Sequence, residues 1–252
     1  MSGTGSRMGA VKEHLVAEIS GAPVTIDVRR AARAKRMTLR IPPGDANPIV
    51  TIPARASLRT VEPFVRQQHG WLAARLAERS PAVPLIDGGL VPFRGEVRRI
   101  VGKSASRGVV KEAIHEGEAA LIVSGREEHL PRRLTDFFRR SARTDLDLAV
   151  AEFASAVGRR PTAVRIKDTR AQWGSCTPEG VLSFSWRLVL APTFVLRYVA
   201  AHEVAHLIEL NHSAAFWRLN AKLDPHHETA RAWLKRYGRT LHAIGTDPRG
   251  RG

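Results

Sequence analysis

His202-Glu203-Val204-Ala205-His206-Leu207-Ile208-Glu209-Leu210-Asn211-His212 is the stretch on which the reading of this chain turns. It has the form H-E-x-x-H, then five residues, then a further histidine. Residues four apart on an α-helix are separated by one turn plus about 40°, so His202 and His206 can face one ion together. Glu203 lies about 100° round from His202, beside such an ion, where a general base for water belongs. Two histidines flanking a glutamate are an odd way to fill an apolar core, so the metal reading outweighs packed core histidines. A hydrolytic zinc site takes three protein ligands and leaves a place for water. Two residues can complete the set. Glu209 lies only about 20° from the direction of His202, so a helix that ran on would bring it to the same face. His212 would point about 240° from His206 on a continuous helix and can ligate only if the helix stops. Asn211 offers the stop, because asparagine tolerates the left-handed C-terminal position. Geometry leans to His212 and leaves both open.

Outward from this stretch, Pro192 and Thr193 open a helix from Phe194 to about Leu210, apolar nearly all round and therefore buried. Before it, Val164 and Ile166 alternate with polar neighbours in one short strand, and Leu182, Phe184 and Trp186 do so in another. The second, Val181–Trp186, is expected to pair with an extended peptide by strand addition, with Ser183 and Ser185 on one face. Leu134, Phe137, Phe138, Leu146, Ala149, Val150 and Phe153 give a long amphipathic helix from Arg132 to Val157, ended by Gly158. Downstream, Asp224-Pro225-His226-His227 is a helix start, which makes His226 and His227 first-turn residues rather than ligands. Cys176 reads as a packed small residue.

The N-terminal half carries no nameable chemistry. Val24, Ile26 and Val28, then Met37, Leu39 and Ile41, then Ile49–Ile52 predict short antiparallel strands. A helix comes next, from Ser57, its N-cap, to Ala77, with His69 on its surface. The Pro/Gly-rich segment 80–89 reads as a linker or loop. Two hairpins come after it, LVPFRG with EVRRIVG, and Val109–Ile114 with Ala120–Val123 turning at His115–Glu118. No internal repeat is visible. The chain is therefore α+β: a poorly ordered segment 1–20, a β-rich part 21–125 with one helix, a catalytic part 126–245 and a flexible tail 246–252. The catalytic part is expected to contain the long amphipathic helix, a short antiparallel sheet and the active-site helix.

At 43% hydrophobic and 25% charged, the composition is that of a globular protein rather than a disordered or membrane chain. No apolar run reaches the roughly 18 residues of a membrane span. The N-terminus lacks an apolar core of signal-peptide length, so export by the usual route is not expected. A single cysteine fits a reducing compartment, and the cytoplasm is the expected location. The formal charge of +16 raises the prospect of nucleic-acid, nucleotide or acidic partners. Arg29, Arg30, Arg33, Lys35, Arg36 and Arg40 form one basic block, and Arg132, Arg133, Arg139, Arg140 and Arg143 another. Few aromatics lie near either, and no nucleic-acid motif is present, so solvated faces are the preferred reading.

DTRAQWGSC (168–176), LSFSWRLVLAP (182–192), YVAAHEVAHLIELNHSAAFW (198–217) and WLKRYGRTLH (233–242) closely resemble the YgjP-like metallopeptidases. VRRAARAKRMTLRIP (28–42), FVRQQHGWLAARL (64–76) and IDGGLVPFRG (86–95) extend the resemblance over roughly residues 24 to 243. The resemblance implies a zincin-type fold, distantly SprT-like, with one zinc ion on His202, His206 and His212 and Glu203 as base. Where the family commonly shows arginine before WGSC, this chain has Gln172. Arg170 remains to serve an anionic transition state or to support the loop. Arg170, Gln172, Ser183 and Ser185 are the candidate substrate contacts. The expected function is a zinc-dependent hydrolase, foremost a metallopeptidase acting on a peptide or protein. The alternatives are a metal-dependent nucleotide (UTP-type) pyrophosphatase and an SprT-like DNA-associated protease. A non-catalytic zinc module is the weaker option, since three ligands beside an intact glutamate leave the site open.

Overall fold

A computed structural model describes residues 13–42, 47–77, 82–104, 108–169 and 172–245 of the chain. Its contacts divide the chain into two units between Pro81 and Ala82, at the Pro/Gly-rich segment. The first contains β1 (Glu13–Ile19), β2 (Ala22–Ala31), β3 (Thr38–Arg40), β4 (Ile49–Pro53), α1 (Val61–Gln67) and α2 (His69–Ala77). Its sheet runs β1-β2-β4-β3. Ile19, Ile26, Val28, Val50 and Ile52 from the sheet meet Val61, Val65 and Leu72 from the helices in a core of its own.

Three expectations change here. Glu13–Ile19, expected to be part of a poorly ordered segment, is a strand whose even-numbered residues are exposed while Leu15, Ala17 and Ile19 turn inward. The turn after it has positive φ at both Ser20 and Gly21, the two-residue geometry that matches strand twist. Residues 1–12 of that segment lie outside the described residues, as does the tail 246–252. Second, β2 and β4 pair parallel, not antiparallel, because β3 crosses to the far side of β4. Third, the helix expected over Ser57–Ala77 is broken. Ser57 caps a short 3-10 turn at Leu58–Thr60, and the chain tightens again at Gln68, whose N–H reaches Val65 O at 3.0 Å, two residues before helix-weakening Gly70.

The second unit opens with β5 (Leu90–Phe93), β6 (Glu96–Lys103), β7 (Lys111–His115) and β8 (Glu118–Ser124) in the order β5-β6-β8-β7. Outer pairs are antiparallel and the central pair is parallel, as in the first sheet. Each four-stranded sheet also leads into a 3-10 turn and then helix. The two sheets thus repeat one topology that the sequence does not display. The second sheet belongs with the long helix after it, α3 (Leu130–Val157), so the contact boundary falls before β5 and not at 125/126. The reason is apolar: Phe93 packs on Phe137 and Phe138 of α3, with ring centroids 5.3 and 5.9 Å apart. A bidentate pair from Arg94 to Asp145, both bonds 2.9 Å, fixes the β5–β6 turn on the same helix.

α3 ends as its sequence predicts, at Gly158 with φ 65°. After it come β9 (Ala163–Lys167), β10 (Gly174–Cys176), β11 (Val181–Ser185), α4 (Thr193–Ala205), α5 (Ala214–Leu223) and α6 (His227–Ala243). The small sheet runs β10-β11-β9, antiparallel on one side of β11 and parallel on the other. Leu182, Phe184, Trp186 and Leu188 join Phe138, Leu146 and Val150 of α3 and Val195, Val199 and Val204 of α4 in one core. Among the described residues, no helix is long and apolar enough to cross a membrane.

Candidate metal centre

α4 delivers its histidines from inside the core. Val195, Leu196, Val199, Ala200, Ala201, Val204 and Ala205 are all buried, so core packing fixes the part of the helix that carries the histidines. It ends at Ala205 with His206 as C-cap, well before the expected stop at Asn211. The N–H groups of Leu207 and Ile208 bond three residues back, to Val204 O at 3.0 Å and Ala205 O at 3.1 Å, which tightens the last turn. Asn211 does not have positive φ, so it is not the terminator. Ile208 and Leu210 are exposed, and without core packing the helix gains little by continuing.

The early stop lets the chain turn back. His202 Nε2 and His212 Nε2 come to 3.0 Å, and ring nitrogens of His202, His206 and His212 all lie within 4.8 Å of one another. Glu209 is not in this group. Its backbone carbonyl instead accepts the Nδ1–H of His206 at 2.9 Å, which leaves the Nε2 lone pair of that ring available to a cation. Three convergent imidazoles of this kind are a donor set that suits zinc. Burial first, then the neighbouring His206 and His212, lowers the pKa of His202 to about 3; burial also lowers that of His206. Both rings are therefore neutral near pH 7, the form that ligates metal.

Aromatic residues wall the triad. Ser213 caps α5 by accepting the N–H of Phe216 at 3.2 Å. That start places Phe216, fully buried, with its ring 4.4 Å from His206, and Trp217 stacked on His212 at 5.6 Å. Arg231 of α6 adds a cation to this wall, its guanidinium carbon 5.3 Å from the Trp217 ring centroid.

Glu203 is only 5% exposed, and burial pushes its carboxyl up to about 8. Its side chain lies against the backbone of β10. A Cβ at Gly174 would come within 2.5 Å of Glu203 Oε1 and 2.8 Å of Cδ, so the strand can approach the carboxylate only where the side chain is hydrogen. The neighbouring Trp173 is held on α6, stacked on His242 at 4.3 Å and 16° and touching Gly238, whose Cβ position is 3.1 Å from the indole. The Trp173 carbonyl accepts Ser185 N–H at 2.9 Å, completing the anchor. Arg187, buried over the Trp186 ring, pairs with Asp168 at the start of the same loop.

The expected substrate contacts fare differently. Ser183 and Ser185 are buried at 5% and 0%, and β11 is bonded along both edges. Strand addition to β11 is therefore excluded, and Ser185 Oγ donates instead to Thr169 O at 3.2 Å. Gln172 is exposed, with its carbonyl accepting Thr169 Oγ1 at 2.9 Å. Arg170 lies outside the described residues. α6 begins at His227, with His226 in the N-cap position before it rather than in the first turn, and neither belongs to the triad's ligand group. Burial and the nearby Glu203 raise Cys176 to about 11, so its thiol stays protonated and packed. Sequence reasoning missed Gly174, Trp173, Phe216, Trp217 and His242. Their signals were the glycine in WGSC and the aromatic pair after a serine cap.

A three-histidine group that could hold a metal ion, with a buried glutamate beside it, thus stands on an α+β frame. A family model for the YgjP-like metallopeptidase domain matches residues 35–237, and the chain belongs to that family. No curated protein matches it. Among solved structures, the metallopeptidase zymogen abylysin of Pyrococcus abyssi is similar at 22% identity and a TM-score of 0.34, over 38% of this chain and 94% of that one.

Proposed function

We propose that the chain is a zinc-dependent peptidase in which His202, His206 and His212 hold the metal and Glu203 is the general base. The observation that carries this reading is the convergence of the three rings with Glu203 one residue along the same helix. Zinc, when bound there, would polarise a substrate carbonyl and acidify water. A dication held beside it would favour the ionised form of Glu203, whose carboxylate would take the proton from the attacking water and return it to the leaving amine. Burial of that carboxylate under β10 keeps bulk water from competing for the proton. Phe216 and Trp217 hold the imidazoles by packing, so the ligands are preorganised.

Substrate binding is assigned to β10 rather than β11. Among the described residues β10 is an edge strand, and its Gly174 touches the base. An extended peptide adding to that edge would lay its backbone alongside Glu203. A single cysteine, with no second one for an internal disulfide, suits a reducing, cytoplasmic setting. The test is metal-depleted protein, reloaded with zinc and assayed in parallel against a peptide library and nucleoside triphosphates. Zinc-dependent cleavage within the peptide library is expected. Turnover of the triphosphates alone would overturn the assignment.

A further inference from the structure

We infer that the first unit carries a binding surface for the phosphate backbone of a nucleic acid, at one end of its sheet. The topology gathers the cations. β2 and β4 run parallel, with Arg30 opposite Ile52 and Ala31 opposite Pro53, so both strands finish at the same end. β3 runs the other way, with Thr38 opposite Thr51, so it begins there. The connection from β2 to β3 must therefore cross the end of β4, beside the segment that leaves β4 for the 3-10 turn. Arg33, Lys35 and Arg36 ride on the first connection, Arg55 and Arg59 on the second, and Arg29 and Arg30 close β2. All seven are exposed.

The two connections are tied to each other. Arg30 donates to Ala54 O at 2.9 Å and Ala56 O at 2.8 Å, and Thr60 Oγ1 meets Met37 Sδ at 3.9 Å. The charges therefore sit on a braced platform, not on independent loops. Opposing charge is scarce. Of the acids on the adjoining elements, Glu18 and Asp27 stand toward the other end of the sheet, opposite Pro23 and Ile49, and Glu13 and Glu62 each already have a partner, Arg30 at 3.3 Å and Arg66 at 2.7 Å. Among the described residues, Arg29, Arg33, Lys35, Arg36, Arg55 and Arg59 have no carboxylate within ion-pair distance. Concentrated like charge is costly to keep unless an anion neutralises it.

The chemistry of the patch selects the anion. Six of its seven cations are arginines, whose planar forks match phosphate oxygens in pairs. Leu58 is the large apolar side chain exposed among them, too little to insert into a lipid surface. No aromatic residue lies on the two connections to stack bases, so binding is to the backbone and indifferent to sequence. A peptidase module joined to such a unit would be delivered to substrates that are themselves on nucleic acid.

The test uses the full chain, a fluorescently labelled random-sequence DNA duplex and anisotropy measured over a salt series. Wild-type protein binds, and its affinity falls steeply with salt. The R33A/K35A/R36A variant loses about tenfold or more at low salt, and its log–log salt slope is shallower by about 2 to 3. Its circular dichroism and peptidase activity remain those of the wild type. A control, R132A/R140A, removes exposed arginines from α3 in the other unit and leaves the binding unchanged. Absence of binding at low salt overturns the inference. So does an unchanged slope in the triple variant, an equal loss in the control, or tighter binding to anionic phospholipid vesicles that displaces the duplex.

Discussion

Gly174 shows how a residue without a side chain can set the position of a neighbouring one, here the proposed base Glu203. Its backbone lies so close to the Glu203 carboxylate that a single methyl group has nowhere to go, with the nearest oxygen 2.5 Å from the Cβ position. Gly174→Ala is therefore expected to push the base aside. Such overpacking costs about 1–3 kcal/mol of stability, and kcat should fall by about a hundredfold, on the scale of a misplaced general base. Zinc content, measured on the same sample, should be unchanged; a variant with wild-type kcat would remove the positioning role. The ligand set has its own check at this scale. His212→Ala should lower zinc affinity by at least about tenfold, while Glu209→Gln leaves it unaltered because only the backbone carbonyl of Glu209 is used. The reverse pattern in a competitive chelator titration would exchange the two. His202, His206 and Glu203 were legible from sequence because helical period alone brings them together. His212 depended on where the helix ends, which period does not encode, and Gly174 on a tertiary contact that no local pattern contains.

The elements around the triad divide into those that announce themselves in sequence and those that do not. α3 is long, strongly amphipathic and closed by Gly158, and both its existence and its end were readable. β10 has three residues, too few for an alternation to be seen, and it is the strand whose Gly174 meets Glu203. The mistaken assignment of peptide binding to β11 came from the same source: its own pattern is clear, but which strands flank it is a non-local fact. α5 matters through its start. Ser213→Ala removes the bond to Phe216 N and should destabilise by about 1 kcal/mol, read as a lower melting temperature together with faster loss of zinc to a chelator. A variant with both properties unchanged would mean that the aromatic wall stands without its cap. α6 acts on β10 through Trp173. His242→Ala opens one side of that indole, and kcat should fall with KM little changed, while His242→Phe, which keeps a ring for the stack, should recover most of the loss. Equal activity in all three proteins would show that the stack is not what holds the strand.

At the scale of the whole molecule, two units with separate cores share one four-stranded topology, and among the described residues only one of them carries a group that could hold a metal ion. The repeat escaped the sequence because topology needs only alternation and turns, and side chains on two different cores are free to differ. The α+β class was legible, since strand-period and helix-period segments are both plain; the boundary at 81/82 was not, because it depends on Phe93 choosing α3 as its partner. Zinc should act on the whole second unit, since its ligands come from α4 and the loop after it and are packed by α5. At about a thousandfold excess over Kd, a ligand confined to the native state adds about 4 kcal/mol, which for a chain of this size raises the melting temperature by about 2–4 °C per kcal/mol. A chelator should reverse the gain. The assignment of Glu203 as base on a three-histidine zinc site is tested most directly by the Glu203→Gln protein, with zinc content and peptide turnover measured on one preparation. A full complement of zinc and turnover lower by about a thousandfold are expected. Full zinc with wild-type turnover would contradict it.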